Sequence, residues 1–232
     1  MKLNKFLNFF SKRKYIFIAI FCCLIIGLVA IIPSIKTSIR PKGEFTIVID
    51  AGHGGRDGGS IGVSGSVEKN LNLLYAKTLQ KVLTKAGINV VMTRNGDNGL
   101  YDESADNKKL SDMRARRNII RNVQPDLVIS LHMNSFPLDS CKGAKTFYQI
   151  GSDTSFNAAK NIQNSLHYYI ENASNNVSKG DYYILNCTNY TSVLIECGFL
   201  SNPEEELLLQ NENYREKFVY SIYCGIMLYL GI

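Results

Sequence analysis

The stretch FTIVIDAGHGG, Phe45 to Gly55, decides how the chain is read. Phe45 through Ile49 are apolar or β-branched, Asp50 ends the run, and His53 follows among glycines. A continuous apolar run of this length suits a strand covered on both faces. The glycines after it allow a tight loop and a close approach of backbone to whatever His53 binds. His53 is therefore read as a metal ligand on a glycine loop.

Outward from this strand, helical and strand patterns alternate. Residues 67–87 place Leu71, Leu74, Tyr75, Val82, Leu83 and Ala86 at helical spacing, and Gly87 suits a C-terminal stop. INVVMTR (88–94) reads as a strand, and residues 95–109, rich in Asn, Asp and Gly, as a loop. LSDMRARRNIIRNV (110–123) carries a helical stripe of Leu110, Met113, Arg114, Arg117 and Ile120. DLVISLH (126–132) and AKTFYQI (144–150) are expected strands, with a helix over 153–174. YYIL (182–185) and SVLIECG (192–198) are two further expected strands, and 213–230 a closing helix. This alternation predicts an α/β fold: one domain with a largely parallel central sheet flanked by helices.

Charge is unevenly placed. Of 26 basic residues, eight lie in residues 1–43, which hold no acid, leaving 18 basic against 20 acidic residues from Glu44 onward. A nucleic-acid binder carries its positive charge on the folded domain, so nucleic acid is not expected as a partner. Lys12-Arg13-Lys14 precedes an apolar stretch in which Ile16 to Ile32 gives 17 uncharged residues, at the short end of a membrane span. The expected layout is a cytoplasmic basic flank (1–14), a transmembrane anchor or signal segment (15–33), a linker (34–43) and a catalytic domain (44–232). No Ala-x-Ala cleavage site follows the apolar stretch, which favours an uncleaved anchor over a secreted product. Four cysteines lie beyond it (Cys141, Cys187, Cys197, Cys224), widely spaced, and read as small buried hydrophobes.

The chain has three histidines, and two of them, His53 and His132, fall at the ends of expected buried strands. Neutral imidazole is a preferred zinc ligand, and a carboxylate commonly completes a catalytic set. Glu68, at the head of the first helix, is the natural third ligand. Glu196 sits inside the apolar SVLIECGFL, where a charge is costly unless a cation or hydrogen bonds offset it. Such a glutamate can take a proton from water and pass it to a leaving amine, the chemistry of amide hydrolysis. His167, within a helix, is read as a surface or half-buried side chain. The glycine loop lacks a Gly-Lys-Ser/Thr ending, and Asp57 stands where a dinucleotide fingerprint needs its last glycine. The four arginines of MRARRNIIR (Arg114, Arg116, Arg117, Arg121) read as a solvated helix face.

IVIDAGHGGRDGGSIG, EKNLNL, VMTR, LSDMRARRN, DLVISLHMNS and SVLIECGFLSNPEE, in that order, closely resemble the zinc-dependent N-acetylmuramoyl-L-alanine amidases over residues 45–232. The resemblance implies a mixed sheet of about six strands wrapped by helices. It implies hydrolysis of the bond between the lactyl group of N-acetylmuramic acid and L-alanine in peptidoglycan. Carried over by position, His53, Glu68 and His132 match the zinc ligands and Glu196 the catalytic glutamate. Asn134 and Ser135 fit the stretch after the second histidine, and Arg94 and Arg114 match positions expected to make structural pairs. The chain departs from the family in having Tyr190-Thr191 where proline is common, and it carries no wall-binding repeats. The 63 residues between His132 and Glu196 leave little room for an occluding helical insertion. Anchor plus bare catalytic domain resembles the CwlD-like sporulation and germination members, which act on spore cortex en route to muramic-δ-lactam. That layout implies an extracytoplasmic enzyme and allows for an activator or accessory protein. Two other classes stay open at this point: a catalytically silent wall-binding module with a structural zinc, and a different zinc peptidase or deacetylase.

Overall fold

The computed structural model describes residues 45–232. The expected flank, anchor and linker lie outside the described residues. Among the described residues no helix is long and apolar enough to cross a membrane.

Six strands form one sheet: β1 (Thr46–Ala51), β2 (Asn89–Met92), β3 (Leu127–Asn134), β4 (Lys145–Gln149), β5 (Ser178–Gly180) and β6 (Ser192–Phe199), in the order β2-β1-β3-β6-β4-β5. All neighbours are parallel except β4 against β6. The largely parallel, mixed sheet expected from the sequence is thus present. The helices are α1 (Glu68–Lys85), α2 (Lys108–Val123), α3 (Asp153–Tyr169), the short α4 (Tyr183–Asn186), α5 (Pro203–Gln210) and α6 (Glu212–Leu230).

Alternate residues of the central strands serve two cores. Ile47, Ile49, Leu127, Ile129, Leu131, Val193 and Ile195 join Leu79, Ile162 and Phe218 of α1, α3 and α6 in the larger one. Val48, Val128 and Leu194 point the other way, onto Ile120 of α2 and Ile184 and Leu185 of α4. Each buried aliphatic side chain contributes about 1.5–3 kcal/mol. Strands apolar on both faces can be buried only between two such layers. The parallel trio β1, β3 and β6 runs in one direction, so the C-terminal halves of its strands lie together at one end of the sheet.

Three local readings are corrected. YYIL does not form a strand. Ile184 and Leu185 are consecutive yet pack into the same core, which a strand, alternating faces, cannot arrange. A helical turn can, and the edge strand is instead Ser178–Gly180, paired with β4. The helix expected over 153–174 ends at Tyr169, because Ile170 is extended (φ −115°, ψ 111°). Helix α5 was not read, although Asn202 caps it by accepting from the backbone N–H of Glu204 (3.0 Å) and Glu205 (3.1 Å), with proline next. The four cysteines are free, and only Cys197 is fully buried.

Helices α3 and α6 meet at Gly225, where an added methyl would run into the Ile162 backbone. Gly→Ala within a helix ordinarily stabilises by ~0.5–1 kcal/mol. Here overpacking opposes that gain, and Gly225→Ala is expected to destabilise the domain by about 1–3 kcal/mol in chemical denaturation.

Candidate active site

The edge formed by β1, β3 and β6 gathers all four residues singled out above. His53 lies two positions beyond β1, and Glu68 opens α1. His132 lies within β3 rather than at its end, level with Glu196 of β6 in the parallel register. All four line one cleft of about 850 Å³.

Glu68 is the hub. Its Oε1 lies 2.9 Å from His132 Nδ1 and 3.1 Å from His53 Nε2. The two rings meet edge to face with centroids 5.0 Å apart. One donor atom from each of His53, Glu68 and His132 falls within 4.8 Å of the others, a set able to hold one metal ion. Glycines make the room. A methyl on Gly52 would run into the His132 ring, and one on Gly59 (φ 68°) into Glu68 and His53. His53 itself is left-handed (φ 60°), an uncommon setting for a residue with a Cβ.

The charges have identifiable supports. Burial alone would raise the Glu68 carboxyl, but hydrogen bonds and charge from His132 and His53 hold it far below the ordinary carboxylate range. Burial would lower His53, yet Glu68 and Asp57, whose Oδ2 lies 2.9 Å from His53 Nδ1, raise it above the usual imidazole value. Glu196 is pushed up to about 7, chiefly by burial, with Glu68 raising it and the two histidines pulling the other way. Its Oε2 is buried and has no hydrogen-bond partner among the described residues. Neither Arg94 nor Arg114 pairs with Glu196. Arg94 is buried and donates only to backbone carbonyls, and Arg114 is exposed on α2.

The arginine reading of α2 also needs correction. Arg116 is not on a solvated face; it is 2% exposed and lies 2.6 Å from both Asp50 Oδ1 and Asp112 Oδ2. Period alone could not separate Arg116 from its neighbours, since its partner Asp50 is 66 residues away. Asp57 is a second residue that the sequence did not single out. Asn134 and Ser135 do line the cleft, whereas His167 is exposed on α3 with Nδ1 3.0 Å from the Ala173 carbonyl.

Residues 47–227 match the family model for N-acetylmuramoyl-L-alanine amidase. The chain belongs to that family. The amidase is 37% identical over 194 residues to the germination-specific N-acetylmuramoyl-L-alanine amidase of Bacillus subtilis, covering 82% of this chain and 81% of that one. Among solved structures it is similar to the CwlD amidase of Clostridioides difficile in complex with the GerS lipoprotein (TM-score 0.77, 37% identity, 81% of this chain and 98% of that one). It is also similar to an N-acetylmuramoyl-L-alanine amidase of Clostridium difficile 630 (TM-score 0.74, 30% identity, 82% of this chain and 98% of that one). The reaction of the amidase is hydrolysis of the amide joining N-acetylmuramic acid to L-alanine in peptidoglycan.

Asp57 supplies a checkable feature of this site. Its negative charge favours the imidazolium form of His53. In metal-free amidase Asp57→Asn is therefore expected to lower the His53 pKa, read by NMR titration of the ring.

Proposed function

We propose that His53, Glu68 and His132 hold a zinc ion and that Glu196 is the catalytic acid–base of this amidase. The observation that carries the reading is the convergence of two imidazoles and one carboxylate beside a buried, unpartnered second carboxylate. Two nitrogens and one oxygen are a fitting donor set for zinc, and three protein ligands mark a catalytic rather than a structural site. When bound, zinc supplies Lewis-acid polarisation of the amide carbonyl and makes water more acidic.

Burial in an otherwise apolar strand keeps the Glu196 carboxylate basic, which suits proton abstraction near neutrality. Water adds through oxygen to the carbonyl carbon while Glu196 accepts its proton. The C–N bond to L-alanine then breaks, and Glu196 returns that proton to the departing nitrogen. The products are a lactyl carboxylate on the glycan and a peptide with a free N-terminal alanine. The polar wall of the cleft near Asn134 and Ser135 contacts the substrate beside the reacting bond.

The same proposal extends to setting. The relative from B. subtilis is germination-specific, and this supports a substrate in spore cortex peptidoglycan. The similar CwlD structure is a complex with a lipoprotein, which supports an accessory protein here. Residues 15–33 would anchor the enzyme with residues 44–232 outside the membrane as the catalytic domain, joined by 34–43.

Glu196→Gln tests the proton step. It keeps size and leaves the three donors in place. Hydrolysis of purified muropeptides is expected to fall ~10²–10⁴-fold with zinc content unchanged. Undiminished release of peptides beginning with alanine would end the assignment. Shortened stems or free acetate as the product would favour a peptidase or deacetylase, and bound zinc with no product a silent binding module.

Metal retention should also depend on pH with a fixed sign. Imidazole must be neutral to donate to zinc, and His53 binds its proton more tightly than a free imidazole. Zinc affinity is therefore expected to decline as pH falls, beginning above the ordinary imidazole value of ~6.5. Equilibrium dialysis with metal analysis reads this directly, and retention unchanged to about pH 4 would exclude both histidines as ligands.

A further inference from the structure

We infer that Arg116 is a positioning residue for the metal site: its guanidinium holds the carbonyl of His53 and so fixes the direction of that imidazole. This rests on the reading of His53 as a ligand. Arg116 Nη2 donates to the His53 carbonyl at 2.7 Å, and Nη1 donates to the Ala51 carbonyl at 2.9 Å. The turn between them carries His53 at φ 60°, a setting that persists only when its surroundings over-determine it.

The guanidinium is itself fixed by two carboxylates, each held in turn by neighbouring segments. Nη1 meets Asp50 Oδ1 and Nε meets Asp112 Oδ2, each at 2.6 Å. Asp50 is held by the hydroxyls of Thr93 (2.8 Å) and Ser130 (2.7 Å), and Asp112 by the backbone N–H of Leu100 (2.6 Å). Arg94 supports the same loop at the carbonyls of Ala51 and Gly52, one residue short of the ligand. Arg116 alone of the two reaches His53. Its planar fork serves two carboxylates and two carbonyls at once, a geometry that a lysine ammonium cannot reproduce.

Partners one step behind a metal ligand typically change metal affinity 10–100-fold when altered. The test uses the full chain as wild type, Arg116→Lys, Asp112→Asn and His53→Ala. Zinc affinity is measured by chelator competition, the cobalt-substituted protein by its visible spectrum, and folding by thermal unfolding of the metal-free form. Arg116→Lys is expected to remain folded, bind zinc ~10–100-fold more weakly and change the cobalt spectrum. A folded Arg116→Lys with wild-type affinity and spectrum, whatever its melting temperature, overturns the inference and leaves Arg116 a purely structural residue. If Arg116→Lys does not fold, Asp112→Asn decides. It releases one of the guanidinium's anchors at a less buried carboxylate, and a several-fold loss of zinc affinity is expected. Wild-type affinity in that variant overturns the inference. His53→Ala separates the two layers: zinc binding equal to wild type removes His53 as a ligand. Zinc binding lost in His53→Ala but kept in Arg116→Lys removes only the role of Arg116.

Discussion

The carboxylate of Glu68 is the point on which this fold closes. It is buried, and a bare charge there would cost several kcal/mol. Five groups from three parts of the chain offset that cost. Ser60 N–H donates to Oε2 at 2.8 Å from the glycine loop, and His53 reaches Oε1 from the same loop. His132 and the Met133 N–H (3.3 Å) approach Oε1 from β3. Asn72, one turn along α1, bridges Oε1 (3.3 Å) and the Gly52 carbonyl (3.1 Å). The position of Glu68 in the first turn of α1 adds a favourable helix-dipole term. A loop, a helix start and a strand are thereby tied to one oxygen pair, and the two histidines cannot move apart without unpairing it.

Much of this arrangement was legible in the sequence, for reasons that differ by residue. The strands were legible because apolar runs such as IVI and DLVIS admit little but burial between two layers. Glu196 was legible as a charge inside an apolar strand, and His53 and His132 as two of only three histidines, each beside an apolar run, although His132 lies within its strand rather than at the end. Glu68 was read as the third ligand from its place at the head of the helix, a position where an acid also has an ordinary explanation, and the family resemblance strengthened that reading. Arg116 was not legible. A helical stripe tells which side of a helix is apolar, and a long cationic chain that burrows between carboxylates breaks the pattern rather than forming it. The partners that turn Arg116 inward, Asp50 and the carbonyls of Ala51 and His53, come from β1 and the loop after it, and only the tertiary fold brings them near. The YYIL segment failed for a related reason. Apolar content says that residues are buried, but not whether consecutive side chains share a face.

The buried charges also sort themselves by function. Five acids face or border the cleft: Asp50, Asp57, Glu68, Asp112 and Glu196. A divalent cation entering it would be attracted to all of them. Arg116 pairs with Asp50 at 2.6 Å, and the hydroxyls of Thr93 and Ser130 also donate to it. Burial would raise the Asp50 carboxyl, but the charge and hydrogen bond of Arg116 and the hydrogen bond from Ser130 hold it below its ordinary value, so it stays ionised and committed to its partners. Asp57 lies on the outer side of His53 and acts through the ring. Glu68 and Glu196 are left as the buried cleft carboxylates without a guanidinium partner among the described residues. Arg94 adds positive charge behind the loop without consuming either one, because four backbone carbonyls already receive its donors. Arg116 thus takes Asp50 out of competition, and both guanidiniums stiffen the loop from below. Glu68 is thereby left to the two histidines, and Glu196 keeps a buried Oε2 that has no hydrogen-bond partner among the described residues, the two features on which the proposed metal ligand and proton carrier rest.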